Sequence, residues 1–287
     1  AARAAAVDVG AAAASLRGND AAAALQALAK LPGGAEEDSA EAALRAHLAE
    51  QSVAAGLDPC GVANALWALG RREAEDAAAL VGLLERRLHE LAEQCNPQDV
   101  ANALWAFAKL RWTPRPATWG ALAERLGAIA LQLKAQELSI ALWSIATLNL
   151  EVSSSLSAAM QSATLEGVWW FQAQSVANSL WALGRLASAD VAPIEVRNDL
   201  VGALAEQAAI EKARFSPQGL ANTFVGLVQL GARAEQVAPL AEAVWPDTLG
   251  SVDVGEIAWA LGRVRSGEPG WPLLLRRASS LASAREL

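Results

Sequence analysis

Tyrosine is absent from this 287-residue chain, phenylalanine occurs 4 times, and cysteine and histidine occur 2 times each. Each scarcity excludes something. Two cysteines, Cys60 and Cys95, cannot build a disulfide framework. The histidines, His47 and His89, stand at no metal-ligand spacing from them, so no metal or other cofactor is expected. With so few imidazoles and thiols, acid–base chemistry would rest on carboxylates scattered over helix surfaces. No Walker loop, GxGxxG, HExxH, CxxC pair or GxSxG occurs, and an enzyme is not expected. No apolar run of 18 residues lacks polar interruption, so no transmembrane helix is expected. Positive charge is also short. The net charge is -8 and the pI about 5.0, unlike a generic nucleic-acid binder.

What is plentiful is alanine, leucine and, unusually, 11 tryptophans in a chain that is 53% hydrophobic. Alanine and leucine are strong helix formers, and strand-type residues are sparse outside valine and tryptophan. The composition predicts an all-α protein. The tryptophans expose an internal repeat. "CGVANALWALGR", "QDVANALWAFAK", "QELSIALWSIAT" and "QSVANSLWALGR" place Trp67, Trp105, Trp143 and Trp181 at equal intervals of 38 residues. Looser copies put Val225 and Trp259 in the same slot, and a degenerate first copy puts Gln26 there.

Each of these seven units reads as two helices. The first opens eight residues before the slot, at Pro59, Pro97 and Pro217, or at Ala135 and Ala173. Proline suits a first helical turn because its missing N–H would be unpaired there anyway. Asp58, Asn96 and Ser216 precede the prolines as N-caps. A second helix follows, as in "EDAAALVGLLERRLHELAEQ", apolar on one face and charged on the other. One such pair cannot bury its apolar face, so neighbours must stack. The pattern predicts an α-solenoid of about seven helix-turn-helix repeats forming a right-handed superhelix. Residues 1–58 are expected to form a degenerate N-terminal repeat or cap, 59–270 the repeats, and 271–287 a C-terminal capping helix.

At 100° per residue, positions −7, −3, 0 and +4 about the slot share one face. That stripe reads Gln98, Asn102, Trp105 and Lys109 in the third unit, and Gln174, Asn178, Trp181 and Arg185 in the fifth. Asn64 and Arg71, Gln136, Gln218 and Asn222, and Arg263 hold it in the others. The opposite stripe is aliphatic (Val100, Ala101, Leu104 and Phe107 in the third unit) and must face the core. Two readings of the polar stripe follow. In one, the tryptophan wedges between units and the asparagine bonds the next unit. In the other, the stripe lines a groove, amides pair with base edges, and the cations meet phosphate or stack on a base. A reader also needs variable positions. Position −6 varies most, with Asp99, Glu137 and Ser175 among its occupants. The first-helix windows sum to +2, so the acidic charge lies on the second helices and the N-terminal segment.

The 38-residue period with "P-x-x-(L/V)-A-N-x-L-W-A-L-(A/G)-(K/R)-L" resembles the octotricopeptide repeat, a class known from organelle RNA-binding proteins. The resemblance is close over 59–187 and looser over 188–270. It implies paired helices, single-stranded RNA as partner, a mitochondrion or plastid as location, and a task in RNA stability, processing, translation or ribosome assembly. The alternative is a scaffold or structural subunit of an organelle assembly, with the groove clasping a peptide. Three adjacent aromatics, Trp169, Trp170 and Phe171, are expected either to plug a joint between units or to form a docking patch. Trp112, Trp119, Trp245 and Trp271 flank turns and are expected to pack joints.

Overall fold

The computed structural model describes residues 8–190, 192–241 and 251–263, and among them there are helices and no strands. Contacts divide the chain into two compact units, Ala1–Gln132 and Leu133–Leu287. The capping helix expected over 271–287, with Trp245 and Trp271, lies outside the described residues.

In the first unit α1 (Gly18–Leu28), α4 (Pro59–Arg71) and α6 (Pro97–Lys109) are the first helices of successive repeats, and each packs on the next. Helices α2 (Ala35–Leu48), α5 (Ala78–Leu91) and α7 (Pro116–Ala128) are the second helices, each against its own first helix. A short α3 (Gln51–Ala55) links α2 to α5, and α5 packs on α7. The second unit repeats this order. Helices α8 (Ala135–Thr147), α10 (Ala173–Ala187), α12 (Pro217–Gln229) and α14 (Ser251–Arg263) pack in sequence. Helices α9 (Ser154–Gly167), α11 (Asn198–Glu211) and α13 (Ala234–Ala241) do likewise. The sequential packing is that of a helical-repeat arrangement.

The expected core stripe is buried. Val100, Ala101, Leu104 and Phe107 are at most 2% exposed, and Val176, Ala177, Leu180 and Leu183 match them in α10. The caps also stand where the sequence puts them. Asp58 Oδ1 accepts from Gly61 N at 2.7 Å and Ser216 Oγ from Gly219 N at 3.1 Å. Asn96 Oδ1 accepts from Asp99 N, while Asp99 Oδ2 accepts from Asn96 N, both at 3.0 Å, closing a capping box. Helix α10 has no capping side chain of its own; Glu211 from α11 accepts from Ala173 N at 3.2 Å instead. At the other ends, Glu73, Arg111, Asn149 and Gly231 take positive φ. Each is followed by a 6→1 bond, such as Trp112 N to Phe107 O at 2.8 Å, which is the Schellman closure.

Short 3₁₀ turns (Ala92–Gln94, Ala130–Gln132, Val168–Trp170 and Lys212–Arg214) end the second helices before the next first helix begins. Arg87 donates to Leu57 O at 2.9 Å and Arg125 to Cys95 O at 2.8 Å. These arginines stand one repeat apart and lock each second helix to the strap before the paired first helix. Asn96→Ala removes one half of the capping box. It should lower stability by about 1 kcal/mol in chemical denaturation, and an unchanged midpoint would show the box to be energetically idle.

Candidate functional site

Within each unit the polar stripe of the first helices faces solvent. Gln98, Gln136, Gln174 and Gln218 at −7 are exposed, and Asn64, Asn102, Asn178 and Asn222 at −3 are half-buried. Trp67, Trp105, Trp143 and Trp181 are half-buried, and Trp259 is 43% exposed. Of the +4 cations, Arg71, Arg185 and Arg263 are exposed and Lys109 is half-buried. The angular count from the sequence therefore places these side chains on an accessible face.

The tryptophans answer to both readings. Trp67 and Trp105 stack across consecutive helices, ring centroids 5.8 Å apart and planes 24° from parallel, which is an offset-stacked geometry. Gly70 makes that contact possible: a Cβ there would lie 3.3 Å from the Trp105 ring and 2.9 Å from Ala106 Cα. Cations cover several of the rings. Lys30 Nζ is 5.7 Å from the Trp67 centroid, Arg185 5.6 Å from Trp181 and Arg263 4.7 Å from Trp259.

The asparagines differ among themselves. Asn64 Oδ1 accepts from Gln26 Nε2 at 2.7 Å, the inter-repeat bond expected of a ladder. Among the described residues the ladder is not continued, and the side chains of Asn102, Asn178 and Asn222 have no hydrogen-bond partner. Some cations are committed: Lys109 pairs with Glu73 at 2.7 Å, and Arg185 Nε donates to Ala146 O at 2.9 Å. Lys109 in turn holds the Glu73 carboxyl below its ordinary range.

Position −6 turns out to be N3 of each first helix. Asp99 is only 4% exposed and is spent on the capping box. Burial pushes its carboxyl up against the pull of the Asn96 amide, and the Asp58 charge adds to the rise. Glu137 Oε2 accepts from Lys134 N at 2.8 Å. Ser175 is buried. At −6 Asp99 and Glu137 thus accept from their own N-cap backbone, and Asp99 lies off the open face.

In the second unit an open cleft of about 450 Å³ lies on this face, between the N-terminal halves of α8 and α10. It gathers Gln136, Gln174, Ser175 and Asn178 with Lys134 and Trp170. Trp170 is 82% exposed and Trp169 58%, whereas the adjoining Phe171 is 1%. Of the aromatic triplet, only Phe171 is a core plug. The sequence did not distinguish the three, because a 3₁₀ turn has neither helical nor strand periodicity to assign its faces.

Among the described residues no three His, Cys, Asp or Glu side chains gather as a metal site. Burial drives the Cys95 thiol up to about 12, and burial with the Asp99 and Asp58 charges raises that of exposed Cys60. No described helix is long and apolar enough to cross a membrane. No family model matches the chain, and no curated protein matches it.

Proposed function

We propose that the chain is a single-stranded-RNA-binding α-solenoid of the octotricopeptide-repeat class. Its seven helix pairs form a right-handed superhelix, and it acts in mitochondrial or plastid RNA metabolism by holding RNA against the first-helix face. The observation that carries this reading is the stripe of amides beside half-buried indoles on the first helices, where the side chains of Gln98, Asn102, Gln174 and Asn178 have no hydrogen-bond partner among the described residues. An amide offers a donor and an acceptor to a base edge. An indole offers a stacking plane that tolerates any base. The +4 cations then meet the phosphates.

The same stripe predicts how binding responds to salt. Single-strand affinity falls with a log–log slope of roughly −0.7 per phosphate neutralised. With Lys109 already paired to Glu73 and few other cations on the face, the slope should be shallow, about −2. Filter binding of a random single-stranded RNA pool over a salt series measures it. Absence of binding at the lowest salt would overturn the proposal. The peptide-clasping scaffold is favoured by the net charge of -8. It predicts no RNA retention at any salt, together with capture of a protein subunit from an organelle assembly.

A further inference from the structure

We propose that Trp170 is the base-stacking platform of a nucleotide subsite in the second unit, and that the residue eleven before the slots at Trp105, Trp181 and Val225 helps set which nucleotide a cleft accepts. This rests on the RNA-binding reading above. A tryptophan is the largest apolar side chain and is normally hidden on folding, yet Trp170 is 82% exposed. It closes a 3₁₀ turn whose other ends, Val168 and Phe171, are anchored in the core at 0% and 1% exposure. The indole is therefore held out from the surface by a fixed backbone.

What it borders is chemically selective. The cleft is lined by Lys134, Gln136, Gln172, Gln174 and Asn178 besides Trp170. Among the described residues, none of these five polar side chains has a hydrogen-bond partner. Among the described residues no carboxylate lines the cleft, although the chain as a whole carries -8. A flat π-surface, free amides and one ammonium are the complement of a nucleotide: a base to stack, a base edge to pair, a phosphate to neutralise. A volume of about 450 Å³ falls in the range of small-ligand sites.

The register extends the inference. A neighbouring cleft of about 430 Å³ is lined by Gln172, Gln174 and Glu211 and by Arg214, which stands eleven residues before Val225 as Trp170 does before Trp181. Arg214 is exposed and leans on Glu211 at 3.0 Å. In the first unit Gln94 holds the same register before Trp105. Gln, Trp and Arg can each stack on or pair with a base. Helix capping does not use this position, so it is free to vary as a reader requires.

The test compares the wild type, Trp170→Ala and Trp170→Phe in fluorescence anisotropy with labelled random single-stranded RNA. Because Trp170 is exposed, both variants should unfold at the wild-type denaturant midpoint. Trp170→Ala should weaken binding by about 5-fold to 100-fold, the span of one base–aromatic stack. Trp170→Phe, which keeps an aromatic plane, should recover most of the loss. Equal affinity of the wild type and Trp170→Ala would overturn the subsite and leave the RNA-binding reading standing. Absence of RNA binding by the wild type would overturn both.

Discussion

Gly226→Ala should destabilise the second unit by about 3 kcal/mol or more, the upper range for overpacking a tight core. The sign is the diagnostic part. Inside an ordinary helix, glycine to alanine stabilises by up to about 1 kcal/mol, because alanine gives up less backbone entropy on folding. At Gly226 a Cβ would collide with the Leu180 carbonyl and lie 2.8 Å from Trp181 N. The obstacle is the backbone of α10, which cannot rotate aside. Gly184 faces the same crossing, where an added Cβ would lie 3.1 Å from Gly226 Cα. These glycines let α10 and α12 approach closely, and that spacing sets the distance between one repeat's indole and amides and the next. Gly120 is the control: it lies inside α7, and a Cβ there would meet nothing within 4 Å. Gly120→Ala should raise the urea midpoint while Gly226→Ala lowers it. If both substitutions stabilise, the close packing of α10 on α12 is wrong.

Much of this architecture was legible in the sequence, for a physical reason. Every first helix solves the same packing problem, so the solution is written repeatedly, and 38-residue spacing alone placed Pro59, Pro97, the caps and the core stripe. The open face was legible too, because a helix with one aliphatic stripe must turn its other stripe to solvent. Periodicity says less about the helix ends. Position −6 varies like a readout position, and Asp99 and Glu137 there serve first-turn capping, with Asp99 buried against Asn96. Trp170 stood in a 3₁₀ turn outside both helical patterns, and nothing in its neighbours separated it from buried Phe171. Arg87 and Arg125 carry the repeat spacing and were readable, but on a charged helix face they resembled ordinary solvated residues.

The contrast separates two kinds of repeated residue. Asn64 is bonded to Gln26, and Lys109 to Glu73; these contacts join one repeat to the next and are architecture. Asn102 and Asn178 occupy the same face without such bonds, so a ligand can use them at no cost in internal pairing. If RNA binds, Asn178→Ala should weaken it more than Asn64→Ala, and Asn64→Ala should cost more stability. Anisotropy and urea titration on the two variants measure both orders.

Glu85 carries the second large effect. In "LLERRLHEL" it reads as part of a solvated charged face, but α5 buries it to 1% exposure. Its carboxylate accepts from Arg115 N at 2.7 Å, Trp112 Nε1 at 3.0 Å and Arg115 Nε at 3.1 Å, tying α5 to the entry of α7. Gln161 does the same in the second unit, accepting from Arg197 N at 2.9 Å ahead of α11. Burial alone would raise the Glu85 carboxyl, but these donors together outweigh it and hold the pKa below its ordinary value. A depressed folded pKa means that the ionised group stabilises the fold above the unfolded carboxylate value, and that this contribution is lost as pH falls through the folded value. Glu85→Ala strands the Arg115 N–H and the Trp112 Nε1–H, while the half-exposed Arg115 guanidinium can turn to solvent, and should cost about 2–4 kcal/mol at neutral pH. Glu85→Gln keeps one acceptor and turns an N–H toward the others, and should cost about 1–3 kcal/mol. The gap between wild type and Glu85→Gln should narrow as pH is lowered below the ordinary carboxylate range, because the wild type then loses what the variant already lacks. Urea titrations at neutral and acid pH read that gap directly. A gap that stays constant with pH would mean that ionisation of Glu85 contributes nothing to the joint between α5 and α7.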